Sequence, residues 1–284
     1  MKMLLKYSRG ATHVTNFGAM VRYLVTYRMK QLPSSPDLFS SLPIEPTPKR
    51  PEPIPLHEVM AECTTMLDAG NDTTQTSLTN CMFLLATNPQ KQTKLRSELR
   101  EALRGRTVVD SDADPVQSYQ RLQHIPYLRA VLDESFRCRP PVAYGLPRRT
   151  VEETVIAGHV VSANVTVSAP MYSICKDAGL FTKPTEFIPE RWLSEGSVVE
   201  DEKASMFSAE HENLRKFVLP FSLGGRACIG RNLAYMELSI VVAALVLGFE
   251  WDAAHEWHGN GRGMGITERL NANPQELWMR AKAL

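Results

Sequence analysis

The ten residues FSLGGRACIG, at positions 221–230, constrain this chain more than any other stretch. They place a single cysteine, Cys228, among three glycines and directly before an apolar stretch with helical periodicity. Glycine lets the backbone turn sharply and approach another group closely, because it has no Cβ. The unpaired N–H groups at the start of the following helix would favour the thiolate form of the cysteine. The stretch therefore predicts a cysteine that is presented on a tight turn.

Each residue type of this loop has a role if Cys228 is the axial ligand of a haem iron. Gly224 and Gly230 would let the backbone lie against the flat macrocycle. Arg226 would donate a charge-assisted hydrogen bond to a propionate, and Phe221 would shield the sulfur from water. The alternative interpretation is a buried free cysteine in a glycine-rich turn, which is by itself the commoner use of cysteine.

Composition excludes several other classes of protein. The chain has 284 residues, of which 43% are hydrophobic and 22% charged, as expected for a globular protein. A formal net charge of +1 gives no electrostatic case for binding nucleic acid. The five cysteines are scattered and lack a CxxC pair, which argues for a reducing compartment and against a disulfide framework or zinc site. The longest apolar stretch, 238–249, is too short to cross a bilayer, and no secretory signal is visible.

Hydrophobic periodicity predicts a mainly α chain with small antiparallel β-sheets. Residues 33–55 contain eight prolines and are expected to form an extended linker. The remaining expectations are helices at 11–32, 56–86, 89–103, 127–138 and 229–247, a polar loop at 106–117, short hairpins within 151–168, and a terminal strand pair with a glycine-rich tip in 248–284.

A second candidate site lies in the middle of the long helix, where AGNDTT (69–74) is a run of poor helix formers. One interpretation is structural: a helix ends at Gly70 and a new one begins, capped at Asp72. The other is a distorted turn over an oxygen-binding face, in which Asp72 and Thr73 relay protons from water. Heterolysis of dioxygen consumes two protons, so a positioned acid and hydroxyl would serve general acid chemistry.

A third motif joins two separate parts of the chain. Glu134 and Arg137 lie three residues apart and so share one helix face. Such a pair in isolation is usually a surface ion pair of little consequence. The irregular segment PERW (189–192) supplies Arg191, and a carboxylate that accepts from both guanidinium groups could fix this segment to the helix if it is buried and fully paired.

Taken together, these motifs resemble those of the cytochrome P450 family over residues 56–284. The loop around Cys228 is similar to the family's haem-binding signature, and AGNDTT resembles its oxygen-activation motif. The Glu-x-x-Arg helix and the PERW segment resemble its structural triad of Glu134, Arg137 and Arg191. The wording of GGRACIGRNLAYMELS and FIPERW looks most like fungal microsomal members. The resemblance implies the C-terminal part of the cytochrome P450 fold.

The resemblance also implies an activity and a cofactor. A member would be a haem-thiolate monooxygenase that hydroxylates or epoxidises a lipophilic or aromatic small molecule with dioxygen. Its haem b iron would be held by Cys228, and the propionates by Arg226 and Arg148, which stands ten residues before the hairpin glycine. Arg149 is the competing candidate for this propionate. The alternative is that the arginine is merely an exposed residue of a strand. Substrate contacts would come from Met66, Ala69, Val142, Ala143, Tyr144, Gly145, Leu146 and Ile266.

The same resemblance implies partners and a location. Electrons would come from NADPH through a separate NADPH–cytochrome P450 reductase, since no nucleotide-binding motif is visible in the chain. Family members are nearly twice as long and begin with a membrane anchor, so residues 1–284 are expected to be the C-terminal portion of one P450 domain: helix and linker at 1–55, motifs at 56–284. The full-length protein would lie on the cytosolic face of the endoplasmic reticulum membrane. The alternatives are a truncated fragment that cannot hold haem and a peroxide-rearranging enzyme of the same fold, against which Asp72 and Thr73 argue.

Overall fold

The computed structural model describes residues 9–31, 37–42, 44, 46, 48, 51–104, 108, 115–193, 214–253, 266–268, 272–274 and 278–284. The helices within these ranges are α1 (Arg9–Met29), α2 (Leu56–Ala86), α3 (Pro89–Leu103), α4 (Pro115–Leu122), α5 (Pro126–Cys138), α6 (Met171–Cys175) and α7 (Arg231–Gly248). The strands are β1 (Arg148–Arg149), β2 (Thr154–Ile156), β3 (His159–Val161), β4 (Thr166–Val167), β5 (Phe249–Ala253), β6 (Ile266–Glu268), β7 (Ala272–Pro274) and β8 (Met279–Ala283). Three 3-10 turns cover Phe39–Ser41, Pro189–Trp192 and Gly224–Arg226. The mainly α fold with small sheets is confirmed.

The chain divides into two compact units, Met1–Asn71 and Asp72–Leu284. The boundary falls within α2. In the first unit, Val21 and Val25 of α1 pack with Val59 of α2 in a small apolar cluster. These two valines are one helical turn apart, so they lie on the same face of α1.

All four sheets within the described residues are antiparallel pairs of strands: β1–β4, β2–β3, β5–β8 and β6–β7. In the β2–β3 hairpin the two turn residues, Ala157 and Gly158, have φ of 50° and 82°. Positive φ at both central residues is typical of the turns in two-residue hairpins, because the backbone twist of such turns matches that of the flanking strands. The predicted terminal strand pair is β5–β8, in which Phe249 lies opposite Ala283. The glycine-rich tip predicted beside it, 259–263, lies outside the described residues.

Helices α3, α5 and α7 supply much of the core of the second unit. In α3 the leucines at every fourth position, Leu95, Leu99 and Leu103, are all buried. Arg96 is buried beside them and caps the end of α7, since it donates to the carbonyl oxygens of Val246 at 2.8 Å and Phe249 at 3.0 Å. The last carbonyl groups of a helix have no partner within the helix and carry partial negative charge, so a cation stabilises them.

Among the described residues one helix, α7, is long and apolar enough to cross a membrane when only length and composition are considered. The sequence analysis had judged its apolar stretch too short. Leu238, Val242 and Val246 of this helix are at most 2% exposed and belong to the main apolar cluster. This packing is typical of the central helix of a core.

Two sequence interpretations of individual segments were wrong. The stretch 106–117 was predicted to be a loop throughout, but helix α4 begins within it, at Pro115. The structural interpretation of AGNDTT required a helix end at Gly70, whereas α2 continues through this run without interruption. A glycine in a helix interior costs only about 1 kcal/mol relative to alanine, so one such residue does not end a helix of 31 residues.

Glu190 ties three elements of the second unit together. Its carboxylate accepts from Lys91 Nζ of α3 at 2.8 Å and from the hydroxyl of Tyr127 of α5 at 3.0 Å. Lys94 Nζ lies 3.4 Å away. Burial alone would raise the pKa of Glu190, but the hydrogen bond from Lys91 and the charges of both lysines lower it below its ordinary value of 4.5.

A depressed pKa makes the contribution of Glu190 to stability pH-dependent. The contribution is present above the unfolded-state pKa and is lost as the pH falls through the lower folded-state pKa. We expect Glu190→Gln to reduce the free energy of unfolding by about 1–2 kcal/mol at pH 7. The difference from wild type should shrink as the pH falls below 4.5. Urea unfolding across this range measures it, and a difference that stays constant with pH would contradict the assignment.

Candidate active site

The loop predicted to carry the ligand closes on itself through backbone hydrogen bonds. The Cys228 N–H donates to the carbonyl oxygen of Phe221 at 2.8 Å, and the Ala227 N–H donates to that of Gly224 at 3.0 Å. The segment between them includes the 3-10 turn Gly224–Arg226. Helix α7 begins three residues after Cys228, with Gly230 as its N-cap. The cysteine is therefore held near the N-terminus of a buried helix, although α7 starts two residues later than the predicted 229.

Gly224 is required by its conformation, because its φ of +74° is one that side chains with a Cβ rarely adopt. A Cβ added to either Gly224 or Gly225 would meet nothing within 4 Å. A Cβ on Gly230 would lie 3.8 Å from Cys228 Sγ, an ordinary contact. The outer side of the loop is thus open, as a flat cofactor lying against it would require.

All five cysteines lie in the described part of the chain, and Cys228 alone is exposed. Burial raises the pKa of Cys81 and Cys138 to about 12 and that of Cys175 to about 11, which makes them poor thiolate ligands. Leu223 and Ile229 of the same loop are apolar and exposed as well. An exposed thiol beside apolar side chains, with the exposed Arg226 in the same turn, fits a largely apolar cofactor that bears carboxylates.

Beneath this loop the structure brings Glu134, Arg137 and Arg191 together, and all three side chains have 0% exposure. Glu134 accepts two bonds from Arg137, both at 2.9 Å, and one from Arg191 Nε at 3.0 Å. The indole N–H of Trp192 at 2.8 Å and the backbone N–H of Ile188 at 2.9 Å also donate to it. The carboxylate is therefore paired on both oxygens, which is the condition for a buried charge to be tolerated.

Arg137 extends this network into the irregular segment before PERW. It donates to the carbonyl oxygens of Cys175 at 2.8 Å, Pro184 at 2.7 Å and Glu186 at 2.8 Å. Burial alone would lower the pKa of Arg137, but the hydrogen bonds and charge of Glu134 raise it above its ordinary value. The guanidinium is thus fixed in its charged form and holds a stretch that has little regular secondary structure.

The triad helix contacts the cysteine loop through aromatic rings. Phe136 of α5 meets Phe221 edge to face, with ring centroids 5.4 Å apart. Tyr235 of α7 packs against both rings, at 5.8 Å from Phe136 and 5.1 Å from Phe221. Phe221 therefore anchors the first residue of the loop in the core, in addition to any role in shielding the sulfur.

The two arginines proposed to compete for a propionate sit side by side in β1. Arg148 lies opposite Val167 and Arg149 opposite Thr166. Successive side chains of a strand point to opposite faces, so only one of the two can face a given ligand. Both are exposed, and Arg148 Nη1 also donates to the carbonyl oxygen of Pro147 at 3.1 Å.

Residues 142–146, predicted to contact substrate, form a segment fixed by hydrogen bonds. The Tyr172 N–H donates to the Ala143 carbonyl oxygen at 2.8 Å, and Ser168 Oγ to that of Tyr144 at 2.7 Å. Gly145 has φ of +73°, and a Cβ there would collide with the carbonyl oxygen of Ala169, so a glycine is needed for backbone packing alone. Tyr144 and Leu146 are exposed, Val142 is half-buried and Ala143 is buried.

A hydrogen bond between backbones brings the hairpin that carries Ile266 to the same segment. The Ala272 N–H of β7 donates to the carbonyl oxygen of Pro141 at 2.7 Å, and Ile266 of β6 pairs with Pro274 of β7. Asp72 and Thr73 of α2 are half-buried and belong to the second unit with Cys228, whereas the exposed Met66 and Ala69 belong to the first.

Comparison with known proteins decides the family. The sequence pattern described as "Cytochrome P450" matches residues 28–259. The chain belongs to the cytochrome P450 family. It is 32% identical to the cytochrome P450 monooxygenase AKT7 of Alternaria alternata over 88% of the chain and 45% of that protein. It is 33% identical to the trichothecene C-4 hydroxylase of Trichoderma arundinaceum over 70% of the chain and 38% of that protein.

A solved structure gives the same result for this P450 chain. The crystal structure of the cytochrome P450 CYP102L1 superposes with a TM-score of 0.75 at 25% identity, over 97% of the chain and 58% of that structure. The family predicted from the motifs is thereby confirmed. The P450 chain spans less than half the length of these two curated relatives.

Sequence reasoning missed one polar cluster beside the P450 cysteine loop. Asp133, next to Glu134, is only 6% exposed and is bonded to Arg129, Arg215 and Tyr235. The spacing of Arg129 and Asp133, one helical turn apart, was the signal available in the sequence. The other two partners are distant in sequence, and no local pattern indicates them.

Proposed function

We propose that this chain is the haem-thiolate part of a P450 monooxygenase, with Cys228 as the ligand of the iron of haem b. The observation that supports it best is the exposure of this one cysteine, on a closed loop that also exposes Leu223 and Ile229, while the other four are buried or half-buried. The cofactor, when bound, supplies the activation of dioxygen and the insertion of one oxygen atom into a C–H or C=C bond.

The residues of the loop would each have one role toward the cofactor. The thiolate of Cys228 would bind the iron, and the exposed guanidinium of Arg226 would neutralise a propionate. Gly224 would keep the backbone in the turn that presents the sulfur, and Gly230 would leave room beside it. Phe221 would exclude water from the sulfur on the core side, where its ring packs with Phe136. Arg148 would bind the second propionate.

Asp72 and Thr73 would hold and move protons. Their position in the second unit, half-buried on a helix that continues through both residues, suits groups that exchange protons with water yet stay ordered. The carboxyl oxygens of Asp72 would take a proton from solvent, and the hydroxyl of Thr73 would pass it to the reaction centre.

The wider roles follow from the same proposal. The substrate would be a lipophilic or aromatic small molecule of fungal secondary metabolism or aromatic degradation, and it would contact Met66, Ala69, the 142–146 segment and Ile266. Electrons would come from NADPH–cytochrome P450 reductase at the cytosolic face of the endoplasmic reticulum membrane. The relatives named above are a monooxygenase and a hydroxylase, which supports oxygen insertion over peroxide rearrangement.

Substitution of the two proton-relay residues tests the monooxygenase proposal. In protein loaded with haem and supplied with NADPH and the reductase, we expect Asp72→Asn and Thr73→Ala to lower the product formed from aromatic probe substrates about 100-fold, because general acid catalysis contributes on this scale. NADPH consumption should fall less than product formation. Thr65→Ala is the matched control, since Thr65 lies on the same helix and bonds the Ala61 carbonyl oxygen at 2.9 Å. Equal losses in all three variants would refute the relay.

A further inference from the structure

Asp133 is a second buried carboxylate on α5, and the proposed function gives it no role. Its side chain is 7% exposed and accepts from Arg129 Nε at 3.0 and 3.1 Å, Arg215 Nη1 at 2.8 Å and the Tyr235 hydroxyl at 2.8 Å. The guanidinium of Arg129 also lies 3.9 Å from the centroid of the Tyr235 ring. One carboxylate thus joins two cations and a phenol.

The partners of Asp133 come from both sides of the cysteine loop. Arg215 belongs to the segment 214–220 that leads into the loop, and Tyr235 lies in the second turn of the helix that follows it. Arg215 is further fixed by the Trp192 ring, 5.4 Å from its guanidinium carbon. The single carboxylate of Asp133 therefore binds both the segment that enters the loop and the helix that follows it.

Tyr235 connects this point to the cysteine itself. Its ring packs at 5.1 Å from Phe221, whose carbonyl oxygen accepts the Cys228 N–H at 2.8 Å. Burial and the neighbouring charge of Asp133 raise the pKa of Tyr235, so its hydroxyl remains a neutral donor over the physiological range. The contacts run without interruption from the Asp133 carboxylate through the side chains of Tyr235 and Phe221 and one backbone hydrogen bond to Cys228.

We propose that Asp133 is a positioning residue for Cys228, which it holds in place by anchoring both arms of the cysteine loop through Tyr235 and Arg215. The inference rests on the proposed function, because the position of Cys228 matters only if the sulfur binds the iron. The anchoring of the loop itself depends only on contacts within this chain. Loss of the carboxylate charge would leave Arg129 and Arg215 without the anion that they share, and the loop would open more often.

The second unit contains a matched control. Tyr127 also donates its hydroxyl to a buried carboxylate, Glu190 at 3.0 Å, which Lys91 and Lys94 also approach. This cluster has the same chemistry as that of Asp133, but among the described residues the side-chain hydrogen-bond partners of Glu190 lie on α3 and α5 and not in segment 214–220 or in α7. Tyr127→Phe and Tyr235→Phe each remove one hydroxyl and keep the ring, so the two variants differ only in which carboxylate loses a hydrogen-bond donor.

Hydrogen exchange on the full haem-free chain measures the opening of the loop. In Tyr235→Phe we expect the amides of 219–228 to exchange about tenfold faster than in wild type, because a hydrogen bond to a charged group contributes on this scale. In Tyr235→Phe the amides of α3 should exchange no faster than they do in Tyr127→Phe. Asp133→Asn should give a larger change at the same amides. Equal loop exchange in Tyr127→Phe and Tyr235→Phe, or no change in either, would overturn the proposal.

A spectroscopic signature distinguishes positioning from general stability. In haem-loaded protein reduced under carbon monoxide, Tyr235→Phe and Asp133→Asn should convert part of the thiolate-type Soret band to the band of haem without a thiolate ligand, and Tyr127→Phe should not. An unchanged band in both loop variants would overturn the positioning role. If the wild type itself shows no thiolate-type band, the proposed function fails, while the exchange comparison still decides whether Asp133 anchors the loop.

Discussion

Replacement of Glu134 by glutamine is expected to reduce the free energy of unfolding by about 3–5 kcal/mol, the scale for breaking a buried ion pair from one side. Glu134 is fully buried and faces two guanidinium groups that are fully buried as well. Without its charge, Arg137 and Arg191 would be two cations in a medium of low dielectric, with carbonyl oxygens as their remaining acceptors. Typical domains are stable by about 5–15 kcal/mol, so the second unit would be close to unfolding.

Urea unfolding followed by circular dichroism measures this effect, and the chain offers a matched control. Glu186 also forms a glutamate–cation pair at a spacing of three residues, with Lys183 at 3.3 Å, but its side chain is 54% exposed. Glu186→Gln should change the unfolding free energy by less than about 1 kcal/mol. Similar losses in the two variants would show that burial of the triad does not decide its contribution.

Replacement of Cys228 by serine is expected to abolish the thiolate-type spectrum completely and to leave the fold unchanged. A serine hydroxyl stays protonated at neutral pH and cannot supply the anionic sulfur that the iron requires. Because Cys228 is exposed, the substitution should shift the unfolding free energy by no more than about 0.5 kcal/mol. Large loss of stability in this variant would mean that the cysteine has a structural role instead.

The matched control for this prediction is Cys63→Ser. Cys63 is half-buried, lies in the first unit and has a pKa that burial raises. The variant should keep the thiolate-type band at the intensity of the wild type. Loss of the band in both variants would point to a general requirement for thiols, and the assignment of Cys228 would have to be withdrawn.

The features that sequence predicted well are those encoded over short distances. The leucines of α3 recur every four residues and are buried as their spacing predicts. The loop around Cys228 is likewise a local motif. Its resemblance to the haem-binding signature indicated the family that the comparisons confirmed. Local patterns fix local conformation, so these predictions needed no knowledge of the tertiary fold.

The features that sequence could not predict depend on partners far along the chain. Asp133 meets Arg215 and Tyr235 only after folding, 82 and 102 residues away. Glu190 lies within PERW, but the motif indicates no role for it, because its lysine partners lie on α3, 99 and 96 residues earlier. Gly145 is predicted to contact substrate, and its positive φ and the approach of Ala169 show a packing role as well, which spacing cannot reveal.

The carbon monoxide difference spectrum of the purified, haem-loaded chain tests the central claim most directly. The claim is that the buried carboxylate networks of the second unit hold Cys228 as the ligand of a haem iron. It predicts a thiolate-type Soret band with one haem per chain, present in the wild type and absent in Cys228→Ser. A folded wild-type chain that binds haem without this band, or whose band survives in Cys228→Ser, would contradict it.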